Sequence, residues 1–110
     1  MKGFGCSTDE EQAALWIQKA ANQGLTQAQF DLYSLYNLGI GVNKDINQSL
    51  YWLKQAAEND HALAKFEIAQ LIENEAPLDA YELYQQAANL GCEEAKQKLR
   101  EIEKTAGNQK

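Results

Sequence analysis

Three short phrases in this chain say nearly the same thing: KAANQGLTQA at 19–28, QAAENDHALA at 55–64 and QAANLGCEEA at 86–95. They align at the pairs Ala20-Ala21, Ala56-Ala57 and Ala87-Ala88, offset by 36 and then 31 residues. A period of that size marks one supersecondary unit written repeatedly. Such a unit cannot bury its apolar face alone and must stack on its neighbours.

Other positions fall into register with the pairs. Trp16, Trp52 and Leu83 lie four residues before them, Ile17, Leu53 and Tyr84 three before, and Ala13, Ser49 and Ala80 seven before. That spacing draws one apolar stripe along a helix. Gly24, Asp60 beside Asn59, and Gly91 follow the pairs, where helices commonly end in a left-handed residue. A second stripe follows each stop: Ala28, Ala64 and Ala95, then Leu32, Ile68 and Leu99, then Leu35, Leu71 and Ile102. Ser7 with Glu10, Thr26 with Gln29 and Asp45 with Gln48 fit or approximate capping boxes, and Pro77 suits a first helical turn. Glu10-Glu11 and Glu93-Glu94 sit where first-turn carboxylates complement the helix dipole. The spacing predicts six helices, at about 8–23, 26–38, 46–58, 61–74, 77–90 and 93–105, with 106–110 as a flexible tail. The fold class is all-α, an α/α superhelix or short solenoid of about three helix pairs in one domain, 1–110.

Composition narrows the function. Good helix formers dominate the 110 residues, and there is one proline. The net charge of −6 argues against nucleic acid and anionic membranes, which need clustered Lys and Arg. No apolar run is long enough to span a bilayer. The first ten residues contain no apolar signal region, so the sequence does not fix the compartment: the cytoplasm is the default expectation, with periplasmic and secreted locations as open alternatives. "FGCS" only faintly matches a lipid-anchoring site at Cys6. Cys6 and Cys92 lack metal or redox spacing and read as free thiols. His61 is the single histidine and reads as a solvated turn residue without catalytic partners. "GIGVNK" at 39–44 lacks phosphate-loop spacing and a preceding strand. Neither cofactor nor metal is expected.

Residues 28–64 carry a more specific pattern. Ala28, Leu32, Tyr36, Gly39, Gly41, Val42, Asp45, Trp52, Ala56 and Ala57 resemble the Sel-one-like repeat (SLR), a relative of the tetratricopeptide repeat. The resemblance covers about residues 10–104, strongly in the middle and more weakly at the end. It departs at Tyr33, where the family usually has glycine, at Ser49, where it has alanine, and at "ENEAPLD", which replaces the glycine loop of the last unit. The first helix corresponds to the second helix of a family unit, so a leading helix is missing. Trp16, Leu15 and Phe4 then form an apolar end open to end-to-end association as a homodimer. "EEAKQKLREIEK" reads as a polar terminal cap. One family branch is linked to β-lactam binding, but its repeats are cysteine-stapled, and this chain lacks those cysteines.

The resemblance implies a non-enzymatic module that holds a protein or peptide on the concave face lined by the first helix of each unit. The candidate residues are Gln27, Phe30, Tyr33, Ser34 and Asn37, then Leu63, Phe66, Gln70 and Glu73, with Glu94, Gln97, Glu101 and Lys104 as their last-unit equivalents. Phe30 and Phe66 share one repeat position and would stand side by side, flanked by amides able to bond a peptide backbone. Core packing is the competing role for both rings. The acidic balance favours a basic partner. Alternatives are an immunity-type inhibitor of a bacterial effector, a hydrolase-type enzyme, or a spacer in a longer array.

Overall fold

The computed structural model describes the backbone of residues 4–108 and the side chains of residues 9–105. Six helices follow one another: α1 (Phe4–Asn22), α2 (Thr26–Leu38), α3 (Ile46–Glu58), α4 (Ala62–Ile72), α5 (Pro77–Asn89) and α6 (Glu93–Asn108). No strand occurs among the described residues, so the all-α class holds. The chain divides into two compact units, residues 1–59 and 60–110.

In the first unit, α2 packs between α1 and α3. The core is Ala21, Ala28, Leu32 and Trp52, with Ile17, Leu35 and Tyr36 against it. Small residues on α1 and α2 leave room for one large ring from α3, and Trp52 fills it at 8% exposure. Ser49, where the repeat calls for alanine, is buried because its hydroxyl donates to the Ile46 carbonyl at 2.8 Å. Asp45 caps α3 as the spacing predicts, its carboxylate accepting from the Gln48 N–H at 3.2 Å.

The glycine loop is explained by two approaches. Gly39 ends α2 in the left-handed region, and its N–H closes on the Leu35 carbonyl. Gly41 has φ +73°, and a Cβ there would drive into the Glu10 carbonyl oxygen and sit 3.1 Å from Ala14 Cβ. The loop therefore lies directly on α1, and no side chain fits between them.

Two expected caps are corrected. α1 begins at Phe4, so Ser7 lies inside the helix rather than at its N-cap; its side chain, with those of Phe4 and Cys6, falls outside the described residues. At α2 the N-cap is Leu25, which makes no side-chain cap bond, and Thr26 is already helical. Gln29 turns inward instead. It is 4% exposed, donates to the Ala21 carbonyl at 3.3 Å and accepts from Asn59 Nδ2 at 2.9 Å. One amide thus ties the ends of α1 and α3 to α2.

In the second unit, α5 packs against α4 and α6. Ala69, Ala80 and Tyr84 form one cluster, and Ala87, Cys92 and Ala95 another; Phe66 packs against both. Pro77 stands in the first turn of α5 as expected. Asp60 and Gly91 are left-handed, the same repeat position that Gly24 fills in the first unit. Leu71 departs from the expected stripe at 59% exposure. The shorter connection ends α4 at Ile72, and Ile72 takes the closing contact with the Tyr84 cluster. α6 runs on to Asn108, past the expected end at 105 and into the expected tail.

These glycines make a graded prediction. Gly24→Ala meets no atom within 4 Å and costs only the left-handed backbone term, about 1 kcal/mol. Gly41→Ala must also displace α1 and costs about 2–4 kcal/mol. Urea titrations of the two variants against the parent chain measure the gap; equal losses would mean that the loop does not rest on α1.

Candidate functional site

The helices α2 and α4, each the first helix of a repeat, bring the expected residues to the surface in different ways. On α2, Phe30, Ser34 and Asn37 follow helical spacing along one face and are half-buried. Phe30 meets Tyr33 ring to ring at 5.4 Å. Tyr33 does not swing away from the helix pair; it packs against the Trp52 cluster, which absorbs the ring that stands in place of glycine. Gln27 donates to Asp31 at 3.0 Å along the same helix.

In the second unit a groove of about 550 Å³ opens between α4 and α6. Phe66 and Gln70 line it from α4, and Glu94, Gln97 and Glu101 from α6. Phe66 with Gln97, and Gln70 with Glu101, stand 31 residues apart, so the groove walls are equivalent positions of successive repeats. Arg100 donates to Gln97 Oε1 at 2.9 Å, and Gln97 Nε2 donates to Glu101 at 3.4 Å, which holds the α6 wall in one arrangement. Phe66 is half-buried and meets the Tyr84 ring at 5.7 Å, so it contributes to the core as well as to the groove. Leu63 lines an adjoining hollow with His61, Leu90 and Cys92.

Glu73 has a different environment from its neighbours on the expected face. Its carboxylate accepts from the Tyr84 hydroxyl at 2.5 Å and pairs with Lys98 Nζ at 3.3 Å. Tyr84 is wholly buried, and Lys98 also lies 5.9 Å over its ring. The Tyr84 hydrogen bond, with help from Lys98, holds the Glu73 carboxyl below its usual range despite partial burial. Burial first, and then the Glu73 charge, push the Tyr84 hydroxyl well above its ordinary value. This triad fastens the short α4–α5 connection to α5 and α6. Sequence spacing gave no sign of it, because Tyr84 occupies a position filled by Leu53 one unit earlier.

The remaining reactive groups are also engaged. His61 caps α4, its Nδ1 accepting from the Ala64 N–H at 3.2 Å, so the expected solvated histidine is a half-buried cap. Cys92 is buried, and desolvation raises its thiol above the ordinary value, the direction that suppresses the nucleophilic thiolate. No group of three or more His, Cys, Asp or Glu among the described residues could hold a metal ion. No helix among them is long and apolar enough to cross a membrane.

Helix pairs, a glycine-lined loop and paired alanines at fixed repeat positions define an α/α repeat protein. The Sel1 repeat family pattern matches residues 1–25, 26–61 and 76–92, and the chain belongs to that family. A Sel1 repeat protein from Oxalobacter formigenes is 34% identical with a TM-score of 0.75, over 82% of this chain and 39% of that one. A protective antigen present in uropathogenic Escherichia coli strains, displaying an SLR fold, is 30% identical with a TM-score of 0.71, over 84% of this chain and 21% of that one. This chain therefore spans about two-fifths of one relative and one-fifth of the other. No curated protein matches it. Repeats of this fold generally mediate protein–protein interaction, and the family is typically a non-enzymatic scaffold.

The triad makes a pH prediction. The Glu73 carboxyl titrates lower folded than unfolded, where about 4.3 is usual. Its charge therefore stabilises the fold above that value, and the contribution is lost as pH falls through the lowered folded value. Glu73→Gln should be less stable than the parent at pH 7, with the gap narrowing as pH falls below 4. Urea titrations at both pH values test this; a gap independent of pH would remove the charge from the account.

Proposed function

We propose that the chain is a non-catalytic interaction module and that the α4–α6 groove receives an extended segment of a protein partner. The observation that carries this reading is the groove's lining. Equivalent positions of successive repeats supply an aromatic edge at Phe66, amides at Gln70 and Gln97, and carboxylates at Glu94 and Glu101. The Gln70 amide can bond an extended backbone at both its N–H and C=O groups, and Gln97, bonded to Arg100 and Glu101 on its own helix, fixes the opposite wall. The carboxylates favour a basic side chain, in keeping with the net charge of −6. Within the groove, Lys98 is already committed to Glu73, and Arg100 bonds Gln97 on its own helix. The first unit is a separate candidate surface, with Phe30, Tyr33, Ser34 and Asn37 on α2 and Gln27 beside them. Glu73 contributes to this surface by fixing the helices that frame it.

A display library of randomised peptides, selected on the parent chain, tests the reading. Recovered sequences should be rich in Lys or Arg next to apolar residues. Their affinity should fall at least about tenfold on Glu101→Lys or on the pair Gln70→Ala with Gln97→Ala, both at exposed positions, with circular dichroism unchanged. Phe66 is unsuitable as the first variant, because removing its ring opens both clusters of its unit. Peptides that bind parent and variants equally, or a library that yields no binder, would overturn the assignment.

A further inference from the structure

Trp16 and Trp52 occupy the same repeat position, yet Trp52 is 8% exposed and Trp16 is 67% exposed. Their neighbours repeat the contrast. Ser49 and Ala56, one turn and just over one turn from Trp52, are buried, whereas Ala13 is exposed and Ala20 half-buried. On α3 this stripe is where α2 lies, with Ala28 and Leu32 against the indole. α1 thus carries a small-large-small stripe shaped to receive an antiparallel helix; Ala20 at one end packs against the first-unit core, but no helix among the described residues covers Trp16 and Ala13. An indole so placed is a large apolar group with a polar edge, the kind of residue that anchors protein interfaces.

We infer that the occupant is α1 of a second copy of this chain, packed antiparallel about a two-fold axis near Leu15. In that register Trp16 of each copy lies over Ala13 of the other, so the large residue meets the small one. The charges agree. Asp9 stands on the stripe toward one end and Lys19 beside it toward the other, and both are exposed. Antiparallel pairing brings each Lys19 to the other copy's Asp9, whereas parallel pairing sets like against like. Lys19 Nζ already lies 5.1 Å over its own Trp16 ring. A two-fold interface is self-complementary and closes at the dimer. This inference is independent of the α4–α6 groove, which lies on other helices.

Sedimentation equilibrium across a wide concentration range tests it. The parent chain should show a reversible monomer–dimer equilibrium that ends at twice the monomer mass. Trp16→Glu, at a largely exposed position, should leave circular dichroism unchanged and raise the dissociation constant at least about tenfold. Lys19→Glu should weaken association, and adding Asp9→Lys to it should restore association, because only an antiparallel copy exchanges those partners. A chain that stays monomeric at millimolar concentration, a dimer indifferent to Trp16→Glu, or a double charge swap that fails to rescue would each overturn the inference. The last outcome would assign the face to a helix other than α1.

Discussion

The first unit depends on one indole meeting alanines. Trp52 fits because α1 and α2 present Ala21 and Ala28, whose small side chains bring the helix axes close enough to leave a ring-sized space. Truncating a buried ring of this kind costs about 3–5 kcal/mol, a large share of the stability of any small domain. Everything nearby serves that packing. Ser49 hides its hydroxyl on its own helix, Gln29 bonds the ends of α1 and α3, and Gly41 lets the loop settle on α1. The paired alanines are therefore a geometric requirement before they are a sequence signature.

The second unit closes in a different way. Its equivalent of Trp52 is Leu83, a smaller residue, and its connection between α4 and α5 spans 73–76, against 39–45 for the glycine loop. The missing volume is supplied by Tyr84 from the next position, together with Phe66. A buried hydroxyl needs a partner, and Glu73 provides one from the C-terminal end of α4, steadied by Lys98 of α6. The repeat thus tolerates a lost loop by exchanging an apolar closure for a charged one. The same exchange sets the frame of the α4–α6 groove.

Much of this was legible from spacing alone. The Ala pairs, the stops at Gly24, Asp60 and Gly91, the cap at Asp45 and the start at Pro77 each express a local preference, and local preferences survive folding. What stayed hidden depends on neighbours. Periodicity places Trp16 and Trp52 on the same stripe, because it records which side of a helix is apolar and not whether another helix covers it. Thr26 three residues before Gln29 suggests a capping pair, yet the Gln29 amide bonds Ala21 and Asn59 at two helix ends. Leu71 follows the stripe and is nevertheless exposed. At the candidate site, the helical register gave the α4 and α6 walls of the groove. It gave neither the Glu73–Tyr84–Lys98 triad nor the double role of Phe66, both of which need three helices in place.

The central claim is that one repeat position holds a buried core ring on α3 and an exposed ring on α1. Acrylamide quenching of single-indole chains at low protein concentration tests it directly. With Trp16→Phe the remaining Trp52 should be shielded and blue-shifted until the chain is unfolded in urea. With Trp52→Phe the remaining Trp16 should be quenched nearly as readily in the folded chain as in the unfolded one. Two indoles of equal accessibility in the folded state would contradict the account, because the repeat would then treat both positions alike.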